Sequence, residues 1–267
     1  MVITVAPIGA EVTRSDNPAV PYTPAETIAA SLEAVEAGAS MVHLHARLAD
    51  GTPSADPALF IEMVDGIRAH SNTITNLSTG GATWMSADER AQCLDAKPDV
   101  CSLETGSMNF GDELFLTSRP DSIAIANKAT SQGVLPEVEL FDVGHAVAAM
   151  RMVKEGHLTQ PLCVNLVLGV PGGMDCSIEG IEALLRPLPD DVFWTVTAIG
   201  RHQRRMLALA ILMGADGIRV GFEDNVKISR DRLAHSNAEF VEDAAMLVET
   251  LGRKVATPNE ARSRLGL

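Results

Sequence analysis

Two histidines separated by one residue, His43 and His45, lie in the apolar run 41–47 (MVHLHAR). The run is typical of a short β-strand and is followed by a polar turn at Asp50 and Gly51. Because side chains alternate along a strand, both imidazoles point to the same face, with Cα atoms roughly 6.5–7 Å apart. This spacing lets two imidazoles bind one metal ion, but it equally suits two hydrogen-bonded rings in a polar layer.

A second cluster of polar side chains lies in residues 217–225 (GIRVGFEDN), where Arg219, Glu223, Asp224 and Asn225 follow or end another short apolar run. Glu223 is a candidate third ligand beside the two histidines. Two imidazoles and one carboxylate leave an open coordination position, which is typical of catalytic zinc sites. The alternative is a solvated acidic loop.

The elements that must position these residues alternate along the chain. Thr23, Pro24 and Glu26 form a capping-box pattern that predicts the start of the first helix. Eight such strand–helix pairs predict an α/β fold, a (β/α)8 TIM barrel forming a single domain over residues 1–267, with an open doubly wound sheet as the alternative. The predicted strands are 3–7, 41–45, 73–77, 100–103, 135–140, 162–168, 193–199 and 217–220, and the predicted helices are 24–37, 58–70, 86–96, 118–132, 143–154, 178–185, 203–213 and 238–251.

Polar side chains follow strand after strand at its carboxyl end. In a closed barrel these ends meet at one mouth, where barrel enzymes have their active sites. The eighth strand would pair with the first and lie close to the second, which would bring Glu223 to His43 and His45. The side chains predicted to converge are Glu11, His43, His45, Ser78, Glu104, Glu139, Glu223 and Asp224.

Composition restricts the partners of the protein. The net charge of −14 disfavours nucleic acid, because binding phosphates needs a concentrated basic surface. No apolar stretch reaches the ~18–20 residues of a membrane span. The four cysteines form neither a CxxC pair nor a disulfide framework, and no signal peptide is evident, so we expect a cytoplasmic protein. Aromatic residues make up only 4% of the chain, which predicts a core of aliphatic layers.

Seven short motifs occur in the order found in one known family. They are residues 9–14 (GAEVTR), 43–47 (HLHAR), 77–81 (LSTGG), 109–112 (NFGD), 136–139 (PEVE), 169–174 (GVPGGM) and 221–225 (GFEDN). The chain resembles the β-keto acid cleavage enzymes over essentially its whole length. The resemblance implies a zinc-dependent barrel that converts a β-keto acid and acetyl-CoA into acetoacetate and a new acyl-CoA, and that forms a homo-oligomer, a tetramer.

The resemblance also carries roles onto individual residues. His43, His45 and Glu223 match the zinc ligands, Arg219, Asp224 and Glu139 match the proton-abstracting group, and Glu11, Ser78, Gly81 and Ser102 match substrate-binding positions. Charge pairing with Arg219 should lower the pKa of Asp224 rather than raise it. Glu104 departs from the neutral amide expected at its position. Together with Glu11 it predicts a cationic group, or at least a strong hydrogen-bond donor, at the far end of the substrate, unless Glu104 faces the barrel wall or pairs with Arg47.

The coenzyme needs a basic site in this acidic chain. Residues 201–205 (RHQRR) follow the seventh strand and are the candidate for its phosphates, although they also suit a solvated helix face. The glycine-rich turn 169–173 either admits the thioester arm or is an ordinary turn. Two other functions remain open: a hydrolase of the amidohydrolase kind, which has its His-x-His on the first strand, and a metal-binding barrel without catalysis.

Overall fold

Eight parallel strands close into a barrel, and they follow one another around it in chain order. In this computed structural model, which describes all 267 residues, the first strand pairs with both the second and the eighth. The (β/α)8 prediction is therefore confirmed and the open sheet is excluded. The strands are β1 (Val2–Val5), β2 (Met41–Leu44), β3 (Ile74–Leu77), β4 (Val100–Glu104), β5 (Leu135–Leu140), β6 (Cys163–Leu168), β7 (Phe193–Ala198) and β8 (Gly217–Val220).

Nine helices surround the strands, and the first of them begins at the predicted capping box. Thr23 caps the first helix: its hydroxyl accepts from the Glu26 backbone N–H at 3.3 Å, and Glu26 accepts from the Thr23 N–H at 2.9 Å. None of the nine combines the length and apolar character needed to cross a bilayer. The helices are α1 (Pro24–Glu36), α2 (Pro57–Arg68), α3 (Ala87–Arg90), α4 (Arg119–Ser131), α5 (Val143–Lys154), α6 (Ile178–Leu185), α7 (Gln203–Leu212), α8 (Asn237–Thr250) and α9 (Pro258–Leu265).

The helices differ from the predicted ones in two places. The helix predicted over 86–96 is α-helical only as α3 and continues as a 3₁₀ helix, Ala91–Ala96, which ends at Lys97 with φ 48°. Ala261 in the unpredicted α9 and Ala256 just before that helix pack in one cluster with Val2 and Met41 and close the amino-terminal end of the barrel. The opposite end is therefore the one open to substrate.

Three hairpins lie at the carboxyl-terminal end of the barrel, and none of them was predicted from the sequence. Each inserts between a strand and the next helix, where sites are built in this fold. We call them the β2 hairpin (Ala46–Arg47 and Pro53–Ser54), the β4 hairpin (Met108–Phe110 and Glu113–Phe115) and the β8 hairpin (Lys227–Ser229 and Arg232–Leu233).

The barrel interior is polar, whereas the layer between strands and helices is aliphatic. Along β2, Val42 and Leu44 belong to the aliphatic core, while His43 between them points the other way. Asn76 on β3 donates to Glu137 on β5 at 2.7 Å. Because β3 and β5 are not neighbours, this bond crosses the interior. The prediction of aliphatic layers is therefore correct for the outer layer and wrong for the middle of the barrel.

Candidate active site

The carboxyl ends of β2 and β8 bring His43, His45 and Glu223 together at the mouth of the barrel. The His43 Nε2 atom lies 3.8 Å from Glu223 Oε2, and the His45 Nε2 atom lies 3.4 Å from Glu223 Oε1. One potential ligand atom from each residue lies within 4.8 Å of the others. The sequence therefore identified three residues that the fold places in reach of a single ion.

The chemistry of the three side chains fits a divalent metal. Burial lowers the pKa of His43, so its ring is neutral and has a free lone pair. Burial acts to raise the pKa of Glu223, but Arg219, His45 and His43 together outweigh it and hold that pKa well below its usual range. The buried Oε2 atom of Glu223 has no hydrogen-bond partner. An ionised carboxylate with a free oxygen beside two imidazoles is the donor set of a catalytic metal site.

Gly9, in the loop after β1, leaves the space that the Glu223 side chain needs to reach the histidines. A Cβ atom at position 9 would lie 2.4 Å from the Glu223 Cγ atom, so no side chain fits there. Gly221 has φ 134°, and a Cβ atom on it would lie 2.3 Å from the Ala6 carbonyl oxygen. These two glycines allow β1 and the loop after β8 to pack closely enough to place Glu223.

We expect Gly9→Ala to weaken metal binding by about 10- to 100-fold, because the added methyl group displaces Glu223 from the histidines. The dissociation constant for zinc, measured by competition with a chromogenic chelator, tests this. Gly144→Ala is the matched control, since that position lies in the first turn of α5 and an added Cβ atom would meet only the Asp142 Oδ1 atom, at 3.2 Å. Equal zinc affinity in the Gly9→Ala and Gly144→Ala proteins would contradict the assigned role of Gly9.

Arg219 joins this cluster to two further carboxylates. Its guanidinium donates to both oxygens of Asp224, at 3.0 and 2.9 Å, and to Glu139 Oε1 at 3.1 Å. The same guanidinium lies 2.5 Å from Glu223 Oε1. Burial acts to lower the pKa of Arg219, but its three carboxylate partners raise it above its ordinary value. The guanidinium is thus a fixed positive charge between Glu223 and the other two acids.

The two other acids have raised pKa values, contrary to the expectation that Arg219 would lower that of Asp224. Burial raises the pKa of Asp224 to about 6 and that of Glu139 to about 8, in both cases against the effect of Arg219. Sequence reasoning missed Asn165, whose amide donates to Glu139 Oε1 at 3.2 Å. Asn165 lies on β6. The only signal in the sequence that it belongs to the site is that side chains at this strand position point into the barrel.

A small cavity of about 80 Å³ opens beside these residues. Ser78 and Gly81, both predicted to bind substrate, line it. The Ser78 hydroxyl oxygen accepts from the Gly80 backbone N–H at 3.1 Å, so its own proton remains available for a ligand. The other lining residues are His45, Gly80, Glu104, Phe110, Phe115, Glu139, Phe141 and Glu223.

Two other predicted substrate residues lie outside this cavity wall. Ser102 is fully buried, and its hydroxyl accepts from the Thr79 backbone N–H at 3.0 Å, so it supports the Ser78–Gly81 loop from behind. Glu11 is exposed in the loop after β1, where its negative charge acts to raise the pKa of Arg47. The structure therefore groups Ser78, Gly81 and Glu104 but not Ser102 or Glu11.

Glu104 pairs with Arg90 rather than with Arg47. The Arg90 Nη1 atom lies 3.8 Å from Glu104 Oε2, and that oxygen accepts no hydrogen bond. Arg47 instead donates to the carbonyl oxygens of Gly9, Val12 and Gly51. The alternative pairing with Arg47 is wrong, because Arg47 is occupied in joining the β1 loop to the β2 hairpin.

Three phenylalanines complete the cavity wall, although the chain has only seven. Phe110 and Phe115 come from the β4 hairpin, and Phe141 follows β5; the Phe110 ring lies 6.4 Å from each of the other two. The low aromatic content gave no hint of this cluster. Only the position of Phe110 in the NFGD motif pointed to the site.

The two candidate coenzyme segments, residues 169–173 and 201–205, differ in their contacts. Gly172 approaches the β4 hairpin so closely that a Cβ atom would lie 2.1 Å from the Asn109 carbonyl oxygen. Its turn thus supports the hairpin. Within residues 201–205, Arg204 pairs with Asp243 on α8 at 2.9 Å, whereas Arg201 has no carboxylate within 4 Å. Part of the basic cluster remains uncompensated.

Comparisons with known proteins identify the family of this chain. Residues 1–267 match the family described as beta-keto acid cleavage enzyme. The chain belongs to this family. It is 42% identical to the 3-keto-5-aminohexanoate cleavage enzyme of Acetoanaerobium sticklandii, with 100% of this chain and 98% of that protein covered. It is 38% identical to the 3-oxoadipate:acetyl-CoA acetyltransferase of Cupriavidus necator, with 100% and 94% covered.

A solved structure shares the fold of this family member. The ternary complex of ObcA with a C4-CoA adduct and oxalate superposes with a TM-score of 0.82 at 20% sequence identity. The match covers 94% of this chain and 68% of that one. At this identity the likeness supports the barrel architecture alone.

Proposed function

We propose that this chain is a zinc-dependent acyltransferase that converts a β-keto acid and acetyl-CoA into acetoacetate and a new acyl-CoA. The α-carbon of the keto acid loses a proton and bonds to the acetyl carbonyl carbon, while the thioester carbon–sulfur bond of acetyl-CoA breaks. The bond between the α-carbon and the keto carbon then breaks as the freed coenzyme sulfur bonds to the keto carbon, and the α-carbon regains a proton. The observation that carries the proposal is the buried Arg219, which connects Glu223 of the metal triad with Asp224 and Glu139.

The residues divide the work as follows. His43, His45 and Glu223 would hold the zinc ion, which when bound supplies positive charge to stabilise an enolate-like species. Asp224 and Glu139, held by Arg219, form the unit that accepts and returns the α-proton. Their pKa values of about 6 and about 8 differ in the way that lets one carboxyl be ionised while the other is protonated at neutral pH.

The substrate carboxylate is assigned to the loop that follows β3. Ser78 has a free hydroxyl proton, and Gly80 and Gly81 line the cavity, so this loop can donate to an anion without a clash. Ser102 keeps the loop in place through Thr79. We propose that Glu11 contacts the substrate at the entrance, outside the cavity wall.

The far end of the substrate is assigned to Glu104 and the phenylalanine cluster. A buried carboxylate oxygen without a hydrogen-bond partner favours a cationic or strongly donating group, and aromatic faces attract cations. Burial raises the pKa of Glu104, and Arg90 opposes that effect. Among the relatives, one is named for an amino-substituted keto acid and another for 3-oxoadipate, so the group that meets the tail must differ between members.

We expect Glu104→Gln to lower the preference for an amino β-keto acid over a neutral one of equal length by about tenfold, because a charge-assisted hydrogen bond is lost. The ratio of kcat/KM for the two acids in each protein measures this. Glu113→Gln, on the exposed edge of the β4 hairpin, is the control. A wild-type protein that prefers the neutral or dianionic acid, or a preference untouched by Glu104→Gln, would rule out Glu104 as the residue that reads the tail.

An assay of acyl-CoA formation with and without acetyl-CoA separates the competing functions. Turnover that requires acetyl-CoA supports the acyltransferase; hydrolysis without it would support the amidohydrolase, and binding without turnover would support a sensor. The amidohydrolase alternative is disfavoured because the histidine pair lies on β2 and because β5 and β6 supply Glu139 and Asn165 instead of histidines.

We also propose a cytoplasmic homo-oligomer, a tetramer as the resemblance implies. Exposed apolar side chains support assembly: Trp84, Leu114 and Leu116 are 65%, 60% and 63% exposed, the last two on or beside the β4 hairpin. Four unpaired cysteines, three of them buried, suit a reducing compartment.

A further inference from the structure

A second cavity of about 810 Å³ lies at the carboxyl-terminal end of the barrel, between the start of α7 and the β8 hairpin. Its size falls within the range of small-molecule sites, whereas the cavity beside the metal triad holds only a small acid. Eight residues line it: Gly200, Arg201, Arg204, Asn225, Lys227, Ile228, Ser229 and Arg230.

The cavity concentrates positive charge in a chain whose net charge is −14. Half of its lining residues are cationic and none is acidic. Arg204 is paired with Asp243, but Arg201, Lys227 and Arg230 have no carboxylate within 4 Å. Uncompensated arginines and a lysine around a concave surface favour a multiply charged anion.

The second cavity is attached to the active site through the backbone. The Gly200 N–H donates to the Asp224 carbonyl oxygen at 2.8 Å, and Asn225, which directly follows Asp224, lines the cavity. The Asn225 side chain donates to the Lys227 carbonyl at 2.7 Å and accepts from the Lys227 N–H at 3.1 Å. The β8 hairpin is therefore held at a fixed place next to the catalytic loop.

We propose that this cavity binds the 3′-phosphorylated ADP end of the coenzyme, with Arg201, Lys227 and Arg230 contacting its phosphates. The inference rests on the proposed function, which requires acetyl-CoA, and it narrows the basic cluster predicted from residues 201–205. Arg205 is not part of it, because that side chain turns away and donates to the Cys176 carbonyl oxygen. Two of the three phosphate-binding residues come instead from the unpredicted β8 hairpin.

Calorimetric titration of the full-length zinc-loaded protein with adenosine 3′,5′-bisphosphate tests the site without turnover. The Lys227→Ala/Arg230→Ala protein is expected to bind at least about tenfold more weakly, because charge-assisted hydrogen bonds to phosphate are lost. Lys154→Ala/Lys254→Ala, which removes two exposed cations outside this cavity, is the control for net charge. Because all four positions are exposed, the variants should keep the wild-type melting temperature.

The kinetic counterpart compares acetyl-CoA with acetyl-dephospho-CoA. The double variant should raise KM for acetyl-CoA about tenfold or more, leave KM for the β-keto acid unchanged, and lose the wild-type preference for the 3′-phosphate. Unchanged binding and KM in an active double variant would overturn the inference and leave the proposed function standing. Predicted binding changes in a protein that turns over no β-keto acid would support the site and overturn the proposed function.

Discussion

We expect the Asp224→Ala protein to turn over its substrates ~10²–10⁴ times more slowly than the wild type while keeping its metal, because a positioned acid–base group is removed. Asp224 accepts from two donors on one edge of Arg219 and is not itself one of the three proposed metal ligands. Single-turnover rates together with metal analysis measure both parts of the prediction. Glu139→Ala should behave in the same way.

Asp224 and Glu139 both bind the Arg219 guanidinium, so a double variant provides a sharper test than either single variant. If Arg219, Asp224 and Glu139 work as a unit, Asp224→Ala/Glu139→Ala should lose little more activity than either single variant. Asp224→Asn keeps the size of the side chain and serves as the conservative control. Wild-type turnover in Asp224→Ala, or rate losses that multiply in the double variant, would refute the unit.

We expect the second large effect in the metal content. The wild type should contain one divalent ion per chain, and His43→Ala/His45→Ala should contain almost none, because a single remaining carboxylate binds such an ion weakly. Metal analysis of the purified proteins by mass spectrometry measures this. His70→Ala is the control, since that ring is exposed and contacts only the Gly66 carbonyl oxygen.

Folding must be separated from binding in this experiment, because His43 is buried in the barrel interior. His45→Ala alone alters a more exposed side chain and provides a variant less prone to misfold. A folded His45→Ala protein with full metal stoichiometry and wild-type affinity would contradict the assignment of the triad.

Local patterns in the sequence were enough to predict the framework and the metal triad. Strand alternation fixed His43 and His45 on one face, and the capping residues Thr23 and Glu26 fixed the start of α1. Barrel closure then placed Glu223, because the neighbours of β1 follow from the number of strands. These inferences depend only on residues near each other in the chain or on the topology of one fold.

Contacts between segments that are distant in the chain could not be predicted from the sequence. Nothing near Glu104 indicates that Arg90 would be its partner, since the two meet through the packing of α3 against the end of β4. The raised pKa of Asp224 depends on how completely the fold buries it, and sequence reasoning about Arg219 alone gave the wrong sign. Phe110 and Phe141 converge because of the β4 hairpin. Its two-residue turn, Gly111 and Asp112, is a hairpin signal that was overlooked, but nothing local indicates that the hairpin meets Phe141 after β5.

The central claim is that the acetyl group of acetyl-CoA becomes part of acetoacetate while the acyl group of the keto acid moves to the coenzyme. It is tested by mass spectrometry of the products formed from a panel of unlabelled β-keto acids and acetyl-CoA carrying a heavy carbon isotope in its acetyl group. We predict labelled acetoacetate and an unlabelled new acyl-CoA in equal amounts, with neither formed when acetyl-CoA is omitted. Free acetate carrying the label with no new acyl-CoA, or unlabelled acetoacetate, would contradict the account.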